Sequence, residues 1–393
     1  MEKQLNKHFC IQPFVNVTTR VAGQNNVCCN ISRPESNIKN QSQSDFFNSD
    51  YVADMRKRML NGEKIKDCSI CHYMEKNSEE SHRQQYNEYY HIENNRELEY
   101  YPKIVNKLKL DKRTSPLYAE LHVSNLCNLK CLTCNERDSS QFHAENKILG
   151  VSEEPKVDYT KFVVHTAKAV EDILKQGVLY LDIRGGETLL VPEIKKVLKD
   201  ADPNITKNVT LKIQTNGTLL PDRDWLDIFN KFHKTKLNIS IDAYGTDNEY
   251  VRFPSNWNKI LYTLELLKKE NIKFVINTVV SNLNIMVLHK LLQWVSDEGY
   301  LQYVYILNHP LHYQPTNLPQ SILDMTANNL ETVKNLEFKN KNVNTTVDRL
   351  IKMCKINNTI YWKRFLQEIT MRDKHRKNSI TNIIPQMKEY INA

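Results

Sequence analysis

The sequence predicts an α/β protein built on a partial (βα)6 TIM-like barrel, with a small domain before the barrel and a helical region after it. Three observations support this prediction. Six short strand-like runs lie between residues 118 and 307, segments of helical periodicity separate them, and the pattern differs before residue 100 and after residue 315. A chain of 393 residues is long enough for two or three such units.

The six strand candidates are short and rich in β-branched and aromatic residues. They are YAELHVS (118–124), VLYLDIR (178–184), VTLKIQT (209–215), LNISID (237–242), KFVINTVV (273–280) and YVYIL (303–307). The intervening segments 158–177, 221–233, 255–270 and 284–299 carry apolar residues at helical spacing. Right-handed helical crossovers between parallel strands would curl the sheet into an open barrel. We therefore expect functional residues on the loops at the carboxyl ends of the strands.

The patterns divide the chain into three predicted regions. Residues 1–100 hold short β-like pieces and a polar stretch, and we interpret them as a small separate domain. Residues 115–310 form the barrel, and residues 315–393 form a helical C-terminal cap.

Composition is ordinary for a globular protein, with 40% apolar and 25% charged residues. No apolar run is as long as a membrane span, and the start, MEKQLNKHFC, lacks the apolar stretch of a secretory signal. We expect a cytoplasmic protein with no membrane partner. The net charge is +8, and the densest basic run, MRDKHRK at 371–377, fits a solvated helix face about as well as a nucleic-acid partner.

Nine cysteines are present, and eight of them fall within the first 134 residues. Clustered thiols in a reducing compartment bind metal more often than they form disulfides. Cys127, Cys131 and Cys134 follow the first barrel strand as C-x3-C-x2-C. Three thiolates on one loop can hold three irons of a 4Fe-4S cluster and leave the fourth iron open to an external chelate. A structural zinc site is the alternative, but it needs a fourth ligand, and the nearest candidate, His122, lies on the strand.

This loop and the motifs after it resemble the radical S-adenosylmethionine (SAM) superfamily, whose signature is C-x3-C-x2-C after the first barrel strand. RGGE follows the second strand, TNG the third, and SIDA ends the fourth. The resemblance implies that these elements contact the methionine, ribose and carboxylate of SAM, with an arginine ten residues after SIDA on the carboxylate. The implied SAM-binding residues are Gly185, Gly186, Glu187, Asn216, Ser240, Asp242 and Arg252.

The chain departs from the family pattern at three positions. Thr133 stands where an aromatic residue is common, Thr188 where proline is common, and Ala243 where glycine is common. The resemblance also implies the chemistry: a reduced cluster splits SAM into methionine and a 5′-deoxyadenosyl radical, which abstracts hydrogen from a substrate. No residue is identified as a hydrogen donor or as an acid or base.

A second cysteine pattern lies near the N-terminus. Cys10, Gly23, Cys28, Cys68 and Cys71 follow the order C-x12-G-x4-C…C-x2-C. This order resembles the SPASM and twitch domains of radical SAM maturases and implies an auxiliary 4Fe-4S cluster on the four cysteines, although those domains commonly follow the barrel. A four-cysteine zinc site is the alternative, and Cys29 is an alternative ligand to Cys28. Cys354, on a helical apolar face, is predicted to be a buried thiol.

The substrate class is open at this stage. Analogy with the maturases favours a peptide or protein, with an electron donor such as flavodoxin or ferredoxin. A nucleotide or nucleic-acid base is the second choice, favoured by the basic charge and by the His and Tyr residues at 307–315, which could equally be packing residues or the wall of the adenine site. A zinc-binding protein without catalytic activity, on a degenerate barrel, is the third.

Overall fold

The computed structural model describes residues 6–31, 36–76, 80–92, 115–152, 162–356 and 358–391. Their strands form one nine-stranded sheet in the order β3-β2-β1-β4-β5-β6-β7-β8-β9. The bounds are β1 Asn16–Thr19, β2 Gln24–Asn26, β3 Ser36–Asn37, β4 Tyr118–His122, β5 Tyr180–Arg184, β6 Thr210–Thr215, β7 Lys234–Ser240, β8 Lys273–Val280 and β9 Gln302–Ile306.

The strands β4 to β9 are the six predicted barrel strands, and each pairs in parallel with the next. Neighbouring parallel strands need a long crossover connection, and here α-helices supply it. The predicted α/β barrel is therefore confirmed.

Before β4 lie α1 Gln12–Val15, α2 Gln43–Phe47, α3 Asp50–Leu60, α4 Ser69–Lys76 and α5 His82–Ile92. Between β4 and β9 lie α6 Ser140–Leu149, α7 Val163–Lys175, α8 Pro192–Asp200, α9 Pro203–Thr206, α10 Arg223–Lys231, α11 Thr246–Val251, α12 Trp257–Lys269 and α13 Leu288–Asp297.

The apolar core lies between the sheet and the helices. Each of the four successive strands β4 to β7 contributes a fully buried apolar residue to this core. These residues are Leu121, Ile183, Ile213 and Ile239. The other face of the sheet is polar and curved. Tyr305 of β9 lies within electrostatic reach of residues on β5, although three strands separate β5 from β9. The polar face therefore lines the inside of a half-barrel.

The N-terminal strands join the barrel sheet. β1 runs parallel to β4, with Asn16 opposite Tyr118, and β2 returns antiparallel to β1. Gly23 forms the tight turn between β1 and β2 with φ of +82°, a conformation that glycine adopts without strain. The division of the chain into three regions stays a prediction, but the described strands of this region belong to the barrel sheet. The physical reason is that apolar residues such as Val17 are fully buried where β1 lies against β4.

The segment after β9 is helical, with α14 Gln320–Glu331, α15 Asn342–Met353, α16 Trp362–Arg376 and α17 Lys388–Ile391. Cys354 is buried, as predicted. The predicted helix 158–177 is α7, and its predicted first residues, up to 161, lie outside the described residues. In the part of the chain that the structure describes, no helix is both long and apolar enough to cross a membrane.

Candidate active site

The cysteine loop, residues 123–139, connects β4 to α6 and is fixed by its backbone. The Lys130 N–H donates to Phe253 O at 2.7 Å, and the Leu132 N–H donates to Val251 O at 2.9 Å. On the other side, Ser139 Oγ at the start of α6 donates to Leu129 O at 2.6 Å. The positions of the three cysteines are therefore set by hydrogen bonds of the loop backbone, to residues 251 and 253 and to Ser139 at the end of the loop.

The thiols of Cys127, Cys131 and Cys134 lie close enough together to influence one another's ionisation. Burial raises the pKa of Cys127 to about 11 and raises the pKa of Cys131 and of Cys134 above the ordinary thiol value. The Leu129 N–H donates to Cys127 Sγ at 3.4 Å, a bond that favours a thiolate. Metal binding would displace the protons of these thiols, and three cysteine thiols on one loop are a donor set that fits an iron–sulfur cluster. Among the described residues, no three His, Cys, Asp or Glu side chains are grouped as a single metal ion would require.

The two glycines of RGGE allow close approach to the cysteine loop. Gly185 has φ of +99° and Gly186 has φ of +52°. A Cβ on Gly185 would lie 2.6 Å from Ser124 O, and a Cβ on Gly186 would overlap Leu126 O. The backbone of the cysteine loop lies close to both glycines, and this approach is possible because glycine has no side chain. Their contact with SAM stays a prediction.

Glu187 joins RGGE to the turn after β6. Its side chain is fully buried and accepts hydrogen bonds from Thr215 Oγ1 at 2.8 Å, the Asn216 N–H at 2.7 Å and the Leu189 N–H at 3.1 Å. Burial raises the pKa of Glu187, while these donors act to lower it. The carboxylate therefore holds two predicted motifs together, and a contact to the amino group of SAM stays a prediction.

The turn after β6 is also tied to the cysteine loop. Asn216 Nδ2 donates to Asn128 Oδ1 at 2.8 Å, and Asn128 Nδ2 donates to Thr218 Oγ1 at 2.9 Å. Asn128 lies between Cys127 and Cys131, so this pair of hydrogen bonds links the ligand loop to the third predicted motif. Sequence reasoning missed Asn128 and Thr218, because a polar residue inside a loop is usually solvated.

Asp242 and Arg252 form a buried ion pair beside the cysteines. Arg252 Nη1 lies 2.8 Å from Asp242 Oδ2, and the Val279 N–H donates to Asp242 Oδ1 at 2.8 Å. Although burial opposes its charge, Cys131 and Asp242 hold the pKa of Arg252 above the ordinary value. Arg252 Nε is buried without a hydrogen-bond partner among the described residues. That free donor suits an additional anionic group next to the cysteine loop.

Ser240, the remaining predicted SAM contact, ends β7. Its hydroxyl accepts a hydrogen bond from Gln214 Nε2 at 2.7 Å. The structure thus places the predicted residues of the barrel at or after the carboxyl ends of β4 to β7, and hydrogen bonds link the cysteine loop to the RGGE and TNG turns. Their roles in SAM binding stay predictions.

The inside of the half-barrel carries charged residues that sequence analysis did not single out. Asp182 is fully buried and accepts from Arg184 Nη2 at 2.7 Å and from Tyr118 OH at 2.8 Å, with Lys212 Nζ at 3.0 Å. Although burial opposes its ionisation, Arg184 and Lys212 hold the pKa of Asp182 below its usual range. Glu120 lies 3.5 Å from Arg184. The alternation of polar residues in YAELH and YLDIR was the available signal. Barrel interiors of this type are usually filled with branched apolar side chains, so a charged lining indicates a surface that can bind a polar substrate.

The four predicted auxiliary cysteines line one cavity. Cys10, Cys28, Cys68 and Cys71 surround it together with the side chain of Arg83. Burial, with a smaller contribution from Cys71, raises the pKa of Cys10 and of Cys68 to about 12. All nine cysteines are free of disulfides. The structure therefore brings together four cysteines that come from three separate segments of the sequence.

Cys29 lies outside that set. It does not line the cavity, and its pKa is lowered to about 5 by hydrogen bonds with Cys28 and His82. The same bond with Cys29, together with burial, raises the pKa of Cys28. The Asn30 N–H donates to Cys28 Sγ at 3.3 Å. These contacts favour Cys28 over Cys29 as the fourth cysteine of the cavity.

Comparison with known proteins is consistent with this geometry. Residues 121–295 match the family model of the Radical SAM superfamily. GTP 3′,8-cyclase of Clostridium perfringens is 27% identical over 165 residues, which cover 42% of this chain and 46% of the cyclase. The subtilosin biosynthesis protein AlbA of Bacillus subtilis, which is named for an antilisterial bacteriocin, is 24% identical over 187 residues, or 47% of this chain and 38% of AlbA. The chain thus matches about half the length of these relatives or less.

Among solved structures, native anSMEcpe with bound AdoMet is 20% identical, with a TM-score of 0.37 over 53% of this chain and 57% of that one. The sequence match covers Cys127, Cys131 and Cys134 and the RGGE, TNG and SIDA motifs. Residues 121–295 of the chain are therefore similar to the radical SAM superfamily, whose members are enzymes.

Proposed function

We propose that this protein reductively cleaves SAM and uses the resulting 5′-deoxyadenosyl radical to abstract hydrogen from a peptide or protein substrate. One observation carries the proposal. The loop of Cys127, Cys131 and Cys134 is hydrogen-bonded to the segments that follow β5, β6 and β7, which hold the predicted SAM-binding residues. The ligands and the motifs therefore form one connected site.

The protein's own residues hold and orient the reactants. When bound, a 4Fe-4S cluster with SAM supplies the one-electron reduction that generates the radical. The three cysteines would hold the cluster, and the free Nε of Arg252 would be available as a donor to the carboxylate of SAM. Glu187 and Asn128 keep the surrounding turns in place. Asp182 and Glu120, inside the half-barrel, are buried from solvent, and exclusion of water would protect a radical from side reactions.

A second 4Fe-4S cluster is part of the proposal. Cys10, Cys28, Cys68 and Cys71 line one cavity, and Arg83, at its edge, supplies a positive charge near the thiolates. Such a cluster would accept or donate an electron close to the substrate. Zinc on the same four cysteines is the competing assignment.

The substrate class rests on the relatives and on the lining of the barrel. AlbA is named for the biosynthesis of a bacteriocin, and the inside of the barrel presents both acidic and basic side chains, which suits the mixed charges of a peptide. GTP 3′,8-cyclase supports the alternative, a nucleotide bound through Arg184 and Lys212.

The basic run at 371–377 does not support a nucleic acid, because Arg372 and Arg376 within it are buried. His312 and Tyr313 are likewise buried, and Tyr313 packs against Phe365 of α16.

The test is SAM cleavage by the anaerobically reconstituted protein under dithionite. We expect 5′-deoxyadenosine to form and its rate to rise with a defined peptide library. A rise with GTP alone would move the substrate to the nucleotide class. Zinc in place of iron, with SAM intact, would contradict the enzyme proposal. A cytoplasmic location and a flavodoxin or ferredoxin as electron donor remain parts of this proposal.

A further inference from the structure

The C-terminal helix α16 is bound to the cysteine loop through one buried carboxylate. Glu145 of α6 has a fully buried side chain and accepts from Arg376 Nε at 2.9 Å, from Arg376 Nη2 at 2.6 Å and from Arg372 Nη1 at 2.9 Å. Lys130 Nζ of the cysteine loop lies 3.1 Å from the same carboxylate. Bidentate arginine–carboxylate contacts of this kind fix both partners in orientation as well as in distance.

Arg376 also contacts the ligand loop directly. Its Nη2 donates to Lys130 O at 2.6 Å, and that carbonyl belongs to the peptide bond that leads into Cys131. The Arg376 side chain is 2% exposed, and its Nη1 is buried without a hydrogen-bond partner in the described part of the chain. A guanidinium that is buried against a loop of three cysteines, with one N–H donor left over, is unusual for a residue that only packs a helix.

A similar group lies near the same loop. Arg252 Nε is the other buried arginine nitrogen without a partner among the described residues, and Arg252 and Arg376 both belong to segments that contact the loop backbone. Phe253 lies between them, with the Arg376 guanidinium 5.3 Å from its ring centre. Two fixed positive charges therefore flank Cys131.

We propose that Arg376 is a positioning residue of the SAM-binding cluster, which orients the Cys131 peptide and raises the reduction potential of the cluster. This inference rests on the proposed function, because it needs a cluster on Cys127, Cys131 and Cys134. A reduced cluster carries one more negative charge than an oxidised one, so a buried positive charge and an N–H donor stabilise the reduced form. The residue lies outside 121–295, the part of the chain that matches the family model. The basic run at 371–377 thus serves the cluster loop through its two buried arginines.

The test is a redox titration of the full reconstituted protein, followed by electron paramagnetic resonance. The signal that changes when SAM is added identifies the relevant cluster. In R376Q we expect full iron content and a more negative midpoint potential. In K374Q, which removes an exposed charge from the same helix, we expect no shift. In E145Q, where the arginines lose their counter-charge, we expect a more positive potential.

An R376Q variant that binds its full complement of iron but keeps the wild-type midpoint potential would overturn the inference. If R376Q does not bind iron, E145Q decides instead, and a potential at or below the wild-type value would overturn it. R376K keeps the positive charge but loses the bidentate guanidinium contact. Its midpoint potential should lie between those of R376Q and the wild type. A wild type without a SAM-sensitive signal would mean that the proposed function itself has failed, which is a different outcome.

Discussion

The two cysteine sites of this protein are built in different ways. The barrel site takes three ligands from residues 127–134, a single loop whose backbone is fixed by neighbouring segments. The N-terminal site takes four cysteines from three segments that span residues 10–71, and only tertiary packing brings them together. The first geometry is encoded locally, whereas the second depends on the whole N-terminal region.

The largest expected effect separates the two sites by function. We expect the Cys127, Cys131 and Cys134 triple alanine variant to lose all SAM cleavage, and the Cys10, Cys28, Cys68 and Cys71 quadruple variant to retain SAM cleavage in the absence of substrate. Each variant should bind about four irons, against about eight in the wild type. Iron, sulfide and 5′-deoxyadenosine analyses measure this. Loss of SAM cleavage in the quadruple variant would show that the two sites are not independent.

Thiol reactivity sharpens the comparison in the iron-free protein. Alkylation requires the thiolate, and a pKa of about 5 leaves Cys29 ionised at pH 7, whereas a pKa of about 11 keeps Cys127 protonated. We expect iodoacetamide to modify Cys29 at least about tenfold faster than Cys127, after allowing for the lower nucleophilicity of a more acidic thiol. The Cys29 rate should be flat from pH 6 to 9, while the Cys127 rate rises with pH. Peptide mass spectrometry over this range measures both rates, and equal rates at pH 7 would contradict the assignment.

Replacement of Gly186 by alanine should damage the barrel site alone. A Cβ there overlaps the Leu126 carbonyl, and the positive φ adds about 1–2 kcal/mol of strain. We expect Gly186→Ala to lower the free energy of unfolding by roughly 3 kcal/mol or more. Gly150→Ala is the matched control, since Gly150 also has a positive φ, +71°, but no atom lies within 4 Å of its Cβ position. Urea unfolding measures both, and similar losses would mean that backbone strain, and not the close approach, sets the cost.

The smallest expected effect concerns the link between the cysteine loop and β6. Asn128→Ala removes hydrogen bonds to Asn216 and Thr218 and should cost about 1–3 kcal/mol of stability, because it leaves buried partners unpaired. We expect KM for SAM to rise several-fold and the N-terminal cluster signal to stay unchanged. Asn208→Ala, at an exposed asparagine, is the control. An unchanged KM would show that the link does not hold the SAM site.

Most of the barrel could be predicted because its signals are local. The runs 178–184 and 273–280 are short and β-branched, and the structure forms strands within them, at Tyr180–Arg184 and Lys273–Val280. The C-x3-C-x2-C loop and RGGE carry recognisable spacing, so their place after strands one and two could be read directly from the sequence.

The remainder depended on contacts between distant residues. Glu145 and Arg376 are separated by 231 positions, and no periodicity relates a carboxylate on α6 to an arginine on α16. The pairing of β1 with β4 was missed for the same reason. A four-residue strand that precedes its partner by about a hundred residues leaves no signal of which edge it joins.

That pairing has a consequence for how the protein is made. β1 emerges from the ribosome long before its partner, since Tyr118 follows Asn16 by 102 residues. At the usual synthesis rate the delay is roughly 5–20 s. Cys10 and Cys28, on either side of β1, therefore wait for the barrel to begin folding before their cavity can close. Assembly of the proposed N-terminal cluster is expected to finish after the barrel has folded, although its cysteines are translated first.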